Sequence, residues 1–179
     1  MLSTIAKTLF AAQVRHLDDD DSSDLRIGVL SDLHLNLRYD EGFGPRTDGN
    51  EGDCWAKSGT KTDIKAPMGR YGCDPPQALI DTMVDAFNDH HGEQDVILLT
   101  GDLNAHHTAM DAELYPEGKS TYELLLRQHK EIVQSLAKKF PDTPILPAFG
   151  NNDNKYHDNP QPLEDDQEFY SYIYDLWFE

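Results

Sequence analysis

The chain has 179 residues, 38% of them apolar, enough to build a single core of ordinary size. With 15 Lys and Arg against 33 Asp and Glu, its formal net charge is −18. Nucleic acid and anionic membrane surfaces repel such a chain and are excluded as primary partners, and no apolar run is long enough to span a bilayer. Residues 1–24 read as an acidic, disordered lead-in, with Asp18 to Asp21 and Asp24 as a solvated charge run. The short apolar stretch Leu9-Phe10-Ala11-Ala12 after Lys7 falls short of a secretory leader, and an amphipathic helix fits it equally well. From residue 25 onward the pattern predicts strand 25–31, a long loop to 74, helix 76–90, strand 95–100, helix 119–139, strand 144–149 and helix 167–179. This is a βαβαβα order, an α/β class. Pro75 and Pro76 suit a helix start. Leu79, Met83 and Phe87 in one helix and Leu125, Ile132 and Leu136 in the next recur at helical spacing, which predicts that they pack on the sheet.

Each predicted strand runs into a polar segment: Ser31-Asp32-Leu33-His34, Thr100-Gly101-Asp102-Leu103-Asn104, and Phe149-Gly150-Asn151-Asn152-Asp153. Parallel strands joined by helices present their carboxyl ends on one edge, so three loops far apart in sequence can converge there. Carboxylate, imidazole and amide oxygen are donors for Zn, Mn or Fe. Asp32 and His34, two residues apart at a strand end, can grip one ion. Asp102 has two oxygens and can bridge two ions, and Asn151 offers a neutral carbonyl oxygen to the second. Two such ions about 3.5–4 Å apart would clamp a phosphoryl group. A single Asp after a strand is more often a turn residue or a helix cap; the weight lies in three such segments in this order.

In these segments the chain resembles the calcineurin-like metallophosphoesterases, whose motifs run D-x-H, G-D and G-N-H-D/E before later histidines. Arg70-Tyr71-Gly72-Cys73-Asp74-Pro75-Pro76, Ala105-His106 and Pro147-Ala148-Phe149-Gly150-Asn151 narrow the resemblance to the acid sphingomyelinase-like phosphodiesterases, over residues 25–179. The resemblance implies a layered α/β/β/α sandwich, of which this chain would be the N-terminal part. It also implies a two-metal hydrolase of phosphodiesters, sphingomyelin among them, with two divalent ions, Zn first and Mn or Fe as alternatives. Asp32, His34, Asp102 and Asn151 would be the metal ligands. His106 matches the family histidine that helps protonate the leaving group.

Two departures bear on function. Asn152 stands where the family pattern usually has His; an amide can orient a phosphoryl oxygen but cannot act as a general acid. The same Gly-Asn-Asn-Asp variant occurs in the vacuolar endopolyphosphatase branch, which makes polyphosphate an alternative substrate. The later histidine and the Gly-His-x-His motif that complete the family site have no counterpart among His16, His34, His90, His91, His106, His107, His129 and His157. The site is therefore expected to be incomplete in this chain, and a non-catalytic truncated paralogue is the other class of reading. His90 and His91 are expected as solvated partners of a helix C-terminus, and His129 as a surface or interhelical residue.

Cys54 and Cys73 lie within or just beyond the long polar loop, and their placement together with the resemblance predicts a disulfide, against the alternative of two free thiols. Such a bond fits an extracellular, lysosomal or vacuolar compartment, although no N-x-S/T acceptor is present. Tyr39, Phe43, Trp55 and Tyr71 could line a substrate cleft in this loop or form its own small core.

Overall fold

The computed structural model describes residues 25–46, 54–56, 59–106, 108, 121–154 and 163–178. The expectation for residues 1–24 lies outside them. In chain order the elements are β1 (Ile27–Leu30), β2 (Phe43–Gly44), β3 (Thr60–Lys61), α1 (Gln77–His91), β4 (Val96–Leu99), α2 (Thr121–Lys139), β5 (Ile145–Pro147), a 3-10 turn (Asn151–Asp153) and α3 (Leu163–Phe178). The order of the main strands and helices is the expected one. α3 begins four residues earlier than its apolar pattern indicates, and β2 and β3, a two-stranded antiparallel ribbon inside the long loop, were not anticipated.

Three apolar runs form one parallel sheet in the order β1-β4-β5, with Val29 beside Leu98 and Leu98 beside Leu146. Alternation along the strands divides their side chains between two faces. Leu30, Ile97 and Leu99 are buried with Ile80 and Val84 of α1 and Ile132 and Leu136 of α2. Ile27, Val29 and Leu146 belong to the opposite face, each about half exposed. Among the described residues no second sheet covers that face.

The two helices are joined on the covered side. Gln77 Nε2 donates to Ser135 Oγ at 2.9 Å, and Lys139 Nζ lies 2.8 Å from an Asp85 oxygen. Pro76 occupies the cap position of α1 in an extended conformation, where its missing N–H leaves no donor unsatisfied. Leu79 departs from expectation and is exposed, while Ile80 and Val84 are buried and Met83 and Phe87 are partly so. Apolar residues at 79, 80, 83, 84 and 87 make a stripe wider than one contact line, and the sheet meets its centre rather than its leading edge. Ile132 and Leu136 are fully buried on the sheet as expected, whereas Leu125, also fully buried, packs instead in a second cluster with Phe169 and Ile173 of α3.

The core does not stop at the strands. Leu33, Leu35 and Leu103 lie in the loops after β1 and β4 and are buried in the same cluster. Burying each contributes roughly 1.5–3 kcal/mol relative to exposure, so packing anchors these loops at every second residue.

Cys54 and Cys73 are bonded, with Cα atoms 5.6 Å apart. In the long segment between β1 and α1 that they staple, the Arg38 guanidinium lies 4.9 Å from the Trp55 ring centre and Tyr39 Oη donates to the Ala66 carbonyl at 2.6 Å. Trp55 is buried and Tyr71 is almost wholly exposed. Tyr39 and Trp55 thus belong to the loop's own small core, and Tyr71 stands apart from it.

Candidate metal centre

The loops after β1 and β4 are laced together as an extension of the sheet. Asp32 N donates to Gly101 O (3.1 Å), His34 N to Asp102 O (2.9 Å) and Leu35 N to Leu103 O (2.8 Å). Along this ladder Asp32, His34 and Asp102 have φ values of 54°, 41° and 53°. Non-glycine residues rarely adopt the left-handed region, at a cost of order 1 kcal/mol each, and clusters of such residues mark functional sites. The conformation gathers their side chains. Donor atoms of Asp32, His34 and Asp102 all lie within 4.8 Å of one another, and His34 Nε2 is 3.8 Å from an oxygen of each carboxylate.

These separations exceed hydrogen-bonding distance and approach the roughly 3.4 Å between two donors on one tetrahedral ion with bonds of about 2.1 Å. His34 Nδ1 lies 3.1 Å from the Asn104 carbonyl oxygen. Donation of Nδ1–H to that carbonyl leaves the Nε2 lone pair facing the two carboxylates, the arrangement that orients metal-binding histidines. The residues present therefore fit a divalent cation.

The third loop braces Asp102. Asn152 donates its backbone N–H to Asp102 Oδ1 (3.1 Å) and its side-chain amide to Oδ2 (3.2 Å). Asn152, expected to orient a phosphoryl oxygen, is buried against the carboxylate it was expected to work beside. Asn151, at the start of the 3-10 turn, is exposed at the same edge. Only glycine fits before it, since a Cβ on Gly150 would sit 2.0 Å from Asp102 Oδ1 and 2.6 Å from Asp102 N.

Beneath this edge lies a polar network that sequence reasoning left without a role. The Asp153 carboxylate, fully buried, accepts from the backbone N–H groups of Leu103 (2.7 Å), Asn104 (3.1 Å) and Gly150 (2.8 Å) and from the Asn104 amide (3.2 Å). It ties the second motif to the third. His129 of α2 is fully buried, the interhelical of the two expected placements, its Nε2 2.8 Å from Asn104 Nδ2 and its ring packed at an angle against those of Phe149 and of Phe169 in α3. Burial holds its pKa below the ordinary value, with the nearby Asp153 opposing the shift, so the ring is neutral. A histidine on the apolar face of α2, flanked by Leu125 and Ile132, was the one signal for this role. His106 follows the second motif, its ring stacked on His34 with centroids 4.1 Å apart and planes 14° apart. His90 and His91 are exposed at the end of α1, as expected.

The parallel sheet thus gathers carboxylates, an imidazole and amides at its carboxyl edge, a donor set that fits a divalent cation. Residues 25–178 match the family model of the calcineurin-like phosphoesterases, and the chain belongs to that family. It is 28% identical over 148 residues to acid sphingomyelinase-like phosphodiesterase 3b of Homo sapiens, covering 83% of this chain and 29% of that protein. Endopolyphosphatase of Schizosaccharomyces pombe is 29% identical over 133 residues, 69% of this chain and 22% of that protein. Sphingomyelin phosphodiesterase A of Dictyostelium discoideum is 26% identical over 148 residues, 83% of this chain and 23% of that protein. The chain thus spans less than a third of the length of these curated relatives.

Proposed function

We propose that this chain carries the ligand-bearing edge of a two-metal phosphodiesterase of the acid sphingomyelinase-like type. The observation that carries the reading is the convergence of Asp32, His34 and Asp102 in left-handed backbone, with His34 already oriented through Nδ1. Divalent ions held there, Zn first, would polarise a phosphoryl oxygen and acidify water. Asp32 and His34 would hold one ion, Asp102 would bridge, and Asn151 would reach the second. Asn152 acts from behind, holding both oxygens of Asp102 so that its lone pairs face outward. When the bond between phosphorus and the leaving oxygen breaks, His106 gives that oxygen a proton and is left neutral, while the attacking water releases its own proton to solvent.

Among the described residues the first ion would have three donors, Asp32, His34 and Asp102, and the second two, Asp102 and Asn151, fewer than the four of a closed site, so this chain alone should turn over slowly. The disulfide fits an oxidising, lumenal or extracellular compartment. Among the described residues no helix is long and apolar enough to cross a membrane. Asn152 favours a second reading within the same chemistry, a polyphosphate substrate, because the endopolyphosphatase named above is among the relatives.

The test is Zn and Mn binding by calorimetry to the chain and to Asp102→Asn, with bis-p-nitrophenyl phosphate, sphingomyelin and polyphosphate as substrates. Binding that falls at least about 10–100-fold in the variant is expected. Failure of both ions to bind the parent chain would refute the metal reading.

A further inference from the structure

Asp74 directly follows the disulfide-closed loop and is itself followed by Pro75 and Pro76 at the start of α1. Its carboxylate is nearly buried, with 7% of the side chain exposed, and it bonds twice to a residue 32 positions away. Asp74 Oδ1 lies 2.8 Å from His106 Nδ1, and Oδ2 accepts from the His106 backbone N–H at 2.8 Å. A carboxylate that holds the ring and the backbone of the same residue fixes both the side-chain torsions and the tautomer. The segment bearing it is pinned in turn, since Cys73 is bonded to Cys54 and the Pro75 carbonyl accepts from Asn36 N at 2.9 Å.

By distance alone His34, Asp74 and His106 could share an ion. Their geometry argues otherwise. Imidazole lone pairs lie in the ring plane, and two rings stacked 14° from parallel direct them side by side rather than toward one point. His106 Nδ1 is also already engaged by Asp74. The ring is 44% exposed and lies against that of His34, and Nε2 is the ring nitrogen that Asp74 does not engage.

We propose that Asp74 is the positioning residue of His106: it takes Nδ1–H, and so leaves Nε2 as the only ring nitrogen that can meet a phosphoryl oxygen at the metal edge. This rests on the reading of His106 given above, but its consequences can be separated from it. Asn in place of Asp74 has one acceptor oxygen and one donor amide. If the oxygen keeps the His106 backbone N–H, the amide faces Nδ1, which must then accept, and the ring proton moves to Nε2.

The test is nitrogen-15 NMR of the histidine rings at a pH where His106 is neutral, in the intact chain and in Asp74→Asn. The parent His106 should show the Nδ1–H tautomer and the variant the Nε2–H tautomer, with Cys54–Cys73 and the other ring signals unchanged. An Nε2–H tautomer in the parent chain overturns the proposal without any variant, as does a folded variant whose tautomer is unchanged. Titration with inorganic phosphate in the presence of zinc separates the two ideas. A shift at His106 Nε2 supports its place beside the phosphoryl group, whereas the Nδ1–H tautomer with no phosphate response would sink the leaving-group reading and leave the Asp74 pairing standing.

Discussion

Gly150→Ala is the sharpest perturbation of the site, because it adds a single carbon and changes no charge. The new Cβ would stand 2.0 Å from Asp102 Oδ1, 2.6 Å from Asp102 N and 2.7 Å from Asp102 Cγ, against an ordinary contact of at least 3.4 Å. The carboxylate oxygen would have to retreat by the difference, 3.4 − 2.0, or about 1.4 Å, a large fraction of a metal–oxygen bond of about 2.1 Å. Side-chain rotation cannot supply all of this, since the backbone nitrogen is also too close and the two loops must part by about 3.4 − 2.6, or 0.8 Å. That opening strains Asn152 N to Asp102 Oδ1 and the bonds of Asp153 to Leu103 and Asn104. Overpacking of this kind costs about 1–3 kcal/mol, and disturbing the groups that orient a ligand costs roughly 10–100-fold in metal affinity. Urea unfolding in EDTA measures the first, and zinc competition with a chromophoric chelator the second. Gly42→Ala is the control, its Cβ meeting nothing closer than Asp40 Oδ1 at 3.3 Å. A Gly150→Ala protein as stable as the parent, with zinc affinity within twofold, would refute the close-contact reasoning.

Two further outcomes follow from groups away from the donors. Cys54 and Cys73 are 19 residues apart, so Cys54→Ser with Cys73→Ser should lose about 3 kcal/mol in the chain-entropy model, read as a lower urea midpoint; an unchanged midpoint would count against it. His129 has its pKa lowered in the fold by burial, so below the unfolded value of about 6.5 the unfolded chain takes up a proton that the folded chain refuses. Stability should be level above that pH and fall below it, approaching about 1.4 kcal/mol per pH unit until the folded ring itself protonates. His129→Gln should flatten this limb in denaturation series between pH 7.5 and 5.0, and an identical limb in the variant would assign the loss to other groups.

The strands and the order of helices were legible because apolar runs of four or five residues between polar segments admit few other readings. The convergence of Asp32, His34 and Asp102 was legible for a related reason, each standing where a strand pattern ends. Residues that act through others left a weaker trace. Asp153 and Asn104 look like ordinary turn residues in sequence, and their value comes from buried N–H groups that only the folded chain brings within 3.2 Å. Asn152 reads as a residue facing substrate because it occupies a motif position; its burial depends on how closely Gly150 lets the third loop approach Asp102. The phase of α1 was misplaced at Leu79 because two apolar residues in adjacent positions leave the helix rotation undetermined.

The left-handed backbone at Asp32 has a consequence for anyone stabilising this protein. Its side chain is largely exposed, so glycine there would relieve the φ of 54° while giving up little packing. A search that ranks substitutions by stability of the metal-free chain would favour the change and discard a proposed ligand. Stability and ion binding pull in opposite directions at this position, so a screen run without zinc in the buffer selects against the chemistry it is meant to preserve.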